Sequence, residues 1–173
     1  MSNDHYQNIV EEYLRSDRSV FVNPEFFLQL EENLSQPEKG TSWYVDLVAV
    51  DFRLQTVFLC EVTYSSTMSA LVHRLAAWAL HWTKLANILQ RDAHIPAHFH
   101  VRPWVFVPAS LITTFVRRFQ SEIAGSPFTP VITPLEMTTP WQYCTWNRQG
   151  EKAKDGYGIP HNMLFIDSHL QTA

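Results

Sequence analysis

Two β-rich runs, Trp43 to Phe52 and Gln55 to Tyr64, are separated by Arg53-Leu54 alone. So short a gap makes them an expected hairpin, closed either by a two-residue turn or by a four-residue loop with the same centre. Neither Arg nor Leu favours the positive φ of the tighter turn. In both cases residues whose numbers sum to 107 face each other. Asp46 is then opposite Glu61, Tyr44 opposite Thr63, Val48 opposite Leu59 and Val50 opposite Val57, all on one face. Val45, Leu47, Ala49, Phe58, Cys60 and Val62 form the other, wholly apolar face.

The opposed acids are the feature most suggestive of chemistry. Directly opposed side chains have Cβ atoms about 4.5–5.5 Å apart, and two carboxylates there repel. The pair is sustained by a proton, a basic side chain or a divalent cation between them. An oxygen site for Mg²⁺ needs one or two carboxylates, completed by water and substrate phosphate. Such an ion activates water and neutralises charge on a phosphoryl group. The alternative is that each acid sits at a solvated hairpin end and pairs with a nearby Arg or Lys. A one-residue slip in register would also put the acids on opposite faces.

Around the hairpin, His5 to Arg15 has helical apolar spacing. Pro24 is expected to open a second short helix with Phe26, Phe27, Leu30 and Leu34 as its face. Ser35 to Ser42 is a loop. Ser65 to Thr67 offers an N-cap for a long helix to about Arg91, with Leu71, Leu75, Trp78, Trp82, Leu85 and Leu89 as its stripe. A strand follows over Phe99 to Val107, interrupted by Pro103. The next helix runs from Pro108 and Ser110 and stops at Gly125. Phe128 to Met137 reads as an edge or bulged strand, because of Pro130 and Pro134. Trp141 to Trp146 is a candidate helical turn, Asn147 to Gly158 a polar loop, and Met163 to Ile166 a short return strand.

This order predicts a three-layer α/β fold with a mixed sheet of four to five strands. The 173 residues suit one domain, with a core over about 5–136 and an appendage over about 137–173. Hydrophobic residues are 46% and charged residues 17%, which excludes a wholly disordered chain. The net charge of −4 argues against a globally basic nucleic-acid binder. Cys60 and Cys144 are the only cysteines, too few for a disulfide scaffold. No apolar run is long enough for a membrane helix, and Asp4, Glu11 and Glu12 do not fit a secretory leader. The expectation is a cytoplasmic protein without a membrane partner.

The run WYVDLVAVDFRLQTVFLCEVTYS, with the helix after it, resembles the core of the restriction-endonuclease-like superfamily. Asp46 matches that superfamily's first acid and Glu61 the acid of its Glu/Asp-x-Lys motif. The resemblance covers roughly residues 5 to 136 and implies an α/β/α nuclease core using Mg²⁺ or Mn²⁺. Val45 stands where a Pro is common. Thr63 stands where the motif has Lys, the residue that activates water and steadies developing negative charge. Either another cation substitutes for it or the site is degenerate. Cleavage is therefore expected to be weak or absent with Mg²⁺ and easier to detect with Mn²⁺.

Candidates for the missing charge lie on the long helix. His73, His81, Lys84 and Arg91 fall opposite the Leu/Trp stripe, and Arg74 lies at its margin. His73 is nearer the expected site; Lys84 is about four turns along, roughly 25 Å. The alternative for Lys84 and Arg91 is an ordinary solvated face. Glu11, with Glu12 less favoured, matches an extra acidic metal ligand often found on the first helix of related nucleases. His94, His98 and His100 lack partners at zinc-like spacing. Asp51, beside the turn, is expected to be solvated. The resulting assignment makes Asp46, Glu61 and Glu11 metal ligands, with Thr63, His73 and Lys84 assisting catalysis on DNA or RNA. The rival is an inactive module of the same fold that binds a protein partner or a second copy.

Overall fold

A computed structural model gives the architecture and describes residues 3–29, 42–138 and 164–165. The chain runs α1 (Asn3–Arg15), β1 (Val20–Gln29), β2 (Ser42–Asp51), β3 (Thr56–Val62), α2 (Ser69–Leu80), α3 (Trp82–Asp92), β4 (His100–Val107), α4 (Ile112–Glu122), β5 (Val131–Pro134) and β6 (Leu164–Phe165). Short 3₁₀ turns at Ala109–Leu111 and Leu135–Met137 flank the last helix and β5. One mixed sheet has the order β1-β2-β3-β4-β5-β6. β1, β2 and β3 are antiparallel, β3, β4 and β5 parallel, and β6 returns antiparallel to β5.

Helices cover both faces, giving three α/β/α layers. Val10, Tyr13 and Leu14 of α1 pack with Leu47, Ala49, Phe58, Cys60, Val62, Trp104 and Phe106 on one face. Leu71, Leu75, Trp78, Leu85, Leu89, Phe115 and Phe119 pack with Val48, Val57, Leu59, Val105 and Val107 on the other. This is the fold class that the sequence implies. Among the described residues no helix is long and apolar enough to cross a membrane.

Several local expectations change. Residues 20–29 form a strand, not a helix opened by Pro24, paired from Val20↔Asp51 to Gln29↔Ser42. Val20, Phe21, Val22, Phe26 and Phe27 are strand formers, and Pro24 is tolerated because β1 is the sheet edge. Leu30 and Leu34 lie outside the described residues. This strand, with the two-residue β6, brings the sheet to six strands. The long helix is two helices, interrupted at His81 (φ −114°, ψ 23°). The break lets Leu71, Leu75 and Trp78 in one half, and Leu85, Ile88 and Leu89 in the other, stay buried on the curved sheet. Its N-cap is Met68 in the left-handed region (φ 51°), with no side-chain cap from the preceding Ser and Thr residues. β5 ends at Pro134 and has β6 on its outer side, so it is not an edge. The expected helical turn and loop over 141–158 lie outside the described residues.

The hairpin keeps its expected centre. Leu47↔Cys60, Val48↔Leu59, Ala49↔Phe58, Val50↔Val57 and Asp51↔Thr56 are paired. The connection is the four-residue loop Phe52 to Gln55, with Gln55 at φ 49°. Asp51 is fully buried, not solvated. Its Oδ1 accepts from the N–H groups of Arg53 (2.9 Å) and Leu54 (3.1 Å), fixing the turn. The Arg53 guanidinium pairs with Asp17 and lies 3.5 Å from Asp51 Oδ2, joining the α1–β1 corner to the hairpin tip.

Candidate active site

The regular alternation of β2 slips by one residue at Asp46. Trp43 and Val45 pack with the same core layer as Val48 and Val50, whereas Leu47 and Ala49 face the other. The β1–β2 ladder likewise passes from Pro24↔Leu47 to Phe26↔Val45, omitting Asp46 and the left-handed Glu25 (φ 50°) opposite it. Tyr44 is therefore not on the Val48 face that uniform alternation would give it. It is exposed and packs on Phe27 (centroids 5.1 Å apart). The slip frees Asp46 from the ladder. Its Oδ2 accepts from Val62 N–H (2.8 Å), and its carbonyl accepts from Gln7 Nε2 of α1 (2.9 Å).

Glu61 lies near the C-terminal end of β3, the end where ligands bind in open α/β sheets. It is only 3% exposed. Arg74, in the second turn of α2, donates Nη1 to Glu61 Oε2, and the same nitrogen is 3.6 Å from Asp46 Oδ1. One guanidinium therefore spans both carboxylates. Glu61 Oε1 is buried without a hydrogen-bond partner among the described residues. Burial, then the Asp46 charge, holds the Glu61 carboxyl well above the usual carboxylate range, against Arg74 and a hydrogen bond from the Asp46 backbone N–H. Burial also raises Asp46, against the Val62 N–H and Arg74.

The other candidates are dispersed. Thr63 N–H donates to Phe106 O (3.0 Å), and its hydroxyl accepts from Ser65 N–H (3.2 Å). His73 is exposed, on the side of α2 near Glu122 of α4. Lys84 is exposed beyond the break at His81, roughly 15 Å along the helix path from Arg74. Glu11 pairs with Arg15 (2.5 Å) one turn on from Gln7. Among the described residues, no three His, Cys, Asp or Glu side chains converge to hold a metal ion. The structure thus brings Asp46 and Glu61 together around Arg74, without placing His73, Lys84 or Glu11 in that cluster.

No protein-family model and no curated protein matches this chain. Among solved structures it is similar to an XisH family protein from Nostoc punctiforme. The identity is 15% and the TM-score 0.45, over 78% of this chain and 94% of that one.

The raised Glu61 pKa makes a test of the site's electrostatics. A carboxyl with a raised folded-state pKa contributes stability that is full below its unfolded pKa and lost as pH rises through the folded one. With a chelator present, the melting temperature should fall as pH climbs above the ordinary Glu range. Glu61→Gln, neutral throughout, should flatten that fall and melt higher than the wild type at neutral pH. An unchanged pH profile in Glu61→Gln would remove Glu61 as the titrating group.

Proposed function

We propose that this chain is a divergent restriction-endonuclease-like nuclease that hydrolyses phosphodiester bonds in nucleic acid, with Mg²⁺ or Mn²⁺ held by Asp46 and Glu61. The observation that carries this reading is Glu61 Oε1, a buried carboxylate oxygen with no hydrogen-bond partner among the described residues, set beside a second carboxylate at the end of a central strand. Buried polar atoms are almost always satisfied, so such an oxygen points to a missing ligand. The all-oxygen donor set suits a hard divalent ion, and two carboxylates leave room for water and phosphate. When bound, the ion supplies charge neutralisation and an acidified water.

The chain's own residues would divide the remaining work. Asp46 is oriented by Val62 N–H through Oδ2, which leaves Oδ1 for the ion. Arg74 is about one-third exposed and can turn its guanidinium from the acids to a phosphate, which its planar fork matches. It would provide the positive charge that Thr63 does not. The Thr63 hydroxyl, accepting from Ser65 N–H, keeps its proton for a phosphate oxygen or the attacking water.

Labelled DNA and RNA incubated with Mn²⁺ test this reading. Cleavage should be weak in the wild type, stronger in Thr63→Lys, and absent when Glu61→Ala is added to Thr63→Lys. A Thr63→Lys protein that folds and binds Mn²⁺ yet cleaves no single-stranded, double-stranded or branched substrate would contradict the catalytic reading and favour a binding module.

A further inference from the structure

Tyr6 of α1, next to the Gln7 that bonds Asp46, and Tyr64, three residues after Glu61, stack face to face. Their ring centroids are 4.6 Å apart and their planes 6° from parallel. Tyr64 is 56% exposed while Tyr6 is half-buried, so Tyr6 backs the ring and much of Tyr64 stays in water. Both rings rest on backbone tied to the site. Gln7, next to Tyr6, holds the Asp46 carbonyl, and Thr63, next to Tyr64, is bonded to β4 through Phe106. His5 meets the Tyr6 ring edge-on at 5.5 Å. A large aromatic surface is thus presented to solvent three residues beyond Glu61, just past the end of β3.

We infer that the Tyr64 ring, backed by Tyr6, is a stacking platform for an unpaired nucleobase, so that the site takes single-stranded nucleic acid or a frayed end. This rests on the nucleic-acid reading of the acid pair. The charge of the molecule means that affinity for any nucleic acid has to come from contacts other than phosphate attraction. A protein of net charge −4, with two carboxylates at its site, gains little from phosphate attraction, the term that dominates duplex binding. Stacking needs no net charge and no particular base, because every base has a π-face. It does need that face uncovered, and in a duplex it is not. A base on Tyr64 would bring an adjoining phosphodiester toward Asp46, Glu61 and Arg74.

Fluorescence anisotropy with the full chain in EDTA separates binding from cleavage and from metal. The probe is a labelled oligothymidylate of about 12 nucleotides, with a duplex of equal length as control. The wild type should bind the single strand more tightly than the duplex. Tyr64→Ala should weaken single-strand binding roughly 5- to 150-fold, the effect of losing one stacked base. Tyr64→Trp should retain affinity and Tyr64→Leu should lose it, which distinguishes a stacked ring from an apolar contact. Equal affinity for strand and duplex, no binding at all, or an unaltered Tyr64→Ala would overturn the inference. So would a dimer, seen by light scattering, that Tyr64→Ala dissolves without touching oligonucleotide affinity. If these tests fail while Mn²⁺ still binds the acid pair, the platform alone is wrong. If stacking holds and Mn²⁺ does not bind, the nuclease reading alone is wrong.

Discussion

Arg74→Ala is expected to lower Mn²⁺-dependent cleavage by about 10²–10³-fold, the usual cost of removing one group that stabilises transition-state charge. Thr63→Lys in the same protein should recover part of that loss, because it returns a cation to the Glu61 side of β3. The substitution has a second signature without metal. Asp46 and Glu61 lose the guanidinium they share, and a buried acceptor left without its hydrogen-bond partner costs about 1–3 kcal/mol, the range that suits this partly exposed Arg. Glu61 escapes that cost by taking a proton, so the penalty should be larger at alkaline pH than at acid pH. Denaturant titrations at both pH values, with kcat/KM in Mn²⁺, check the two effects. An Arg74→Ala protein with wild-type cleavage and a pH-independent stability change would remove Arg74 from the site.

The other large effect lies at the opposite end of the hairpin. Arg53→Met should destabilise the fold by about 3–5 kcal/mol, the range for breaking a buried ion pair from one side. Asp17 and Asp51 are both essentially unexposed, and their carboxylates converge on that guanidinium. For a chain of this size the melting temperature should drop by roughly 6–20 °C. Calorimetry measures it, and a wild-type melting temperature would show that the cluster contributes nothing net. Below its own melting temperature the variant should still bind Mn²⁺, since Arg53 pairs with Asp17 and Asp51 at the opposite end of the hairpin from Asp46 and Glu61.

What the sequence made legible follows from range. The hairpin centre depended on a two-residue gap and a period of two, both local, and the structure keeps it from Leu47↔Cys60 to Asp51↔Thr56. The α/β/α class followed from element order. The role of β1 was obscured by Pro24, which fits the start of a helix as well as an edge strand, and only pairing with β2 decides between them. Asp51 looked solvated because acids beside turns usually are. Its burial depends on Asp17, 34 residues away, sharing Arg53 across the corner. Arg74 sat at the margin of the helical stripe, and a margin is where a side chain can reach a sheet-end acid. Its neighbour His73 is exposed, near Glu122 of α4. The slip at Asp46 left no mark in the apolar pattern, since Val45 and Val48 are apolar on either face. The Tyr6–Tyr64 stack joins residues 58 apart, and nothing in their local spacing signals it.

Calorimetric titration of Mn²⁺ into the metal-free protein reads directly whether Asp46 and Glu61, with Arg74 across them, form one divalent-ion site. The wild type should bind a single ion per chain. Asp46→Asn and Glu61→Gln should each abolish or greatly weaken that binding, while Arg74→Ala should tighten it by removing the competing cation. No binding to the wild type, or the same stoichiometry and affinity in Asp46→Asn, would contradict such a site.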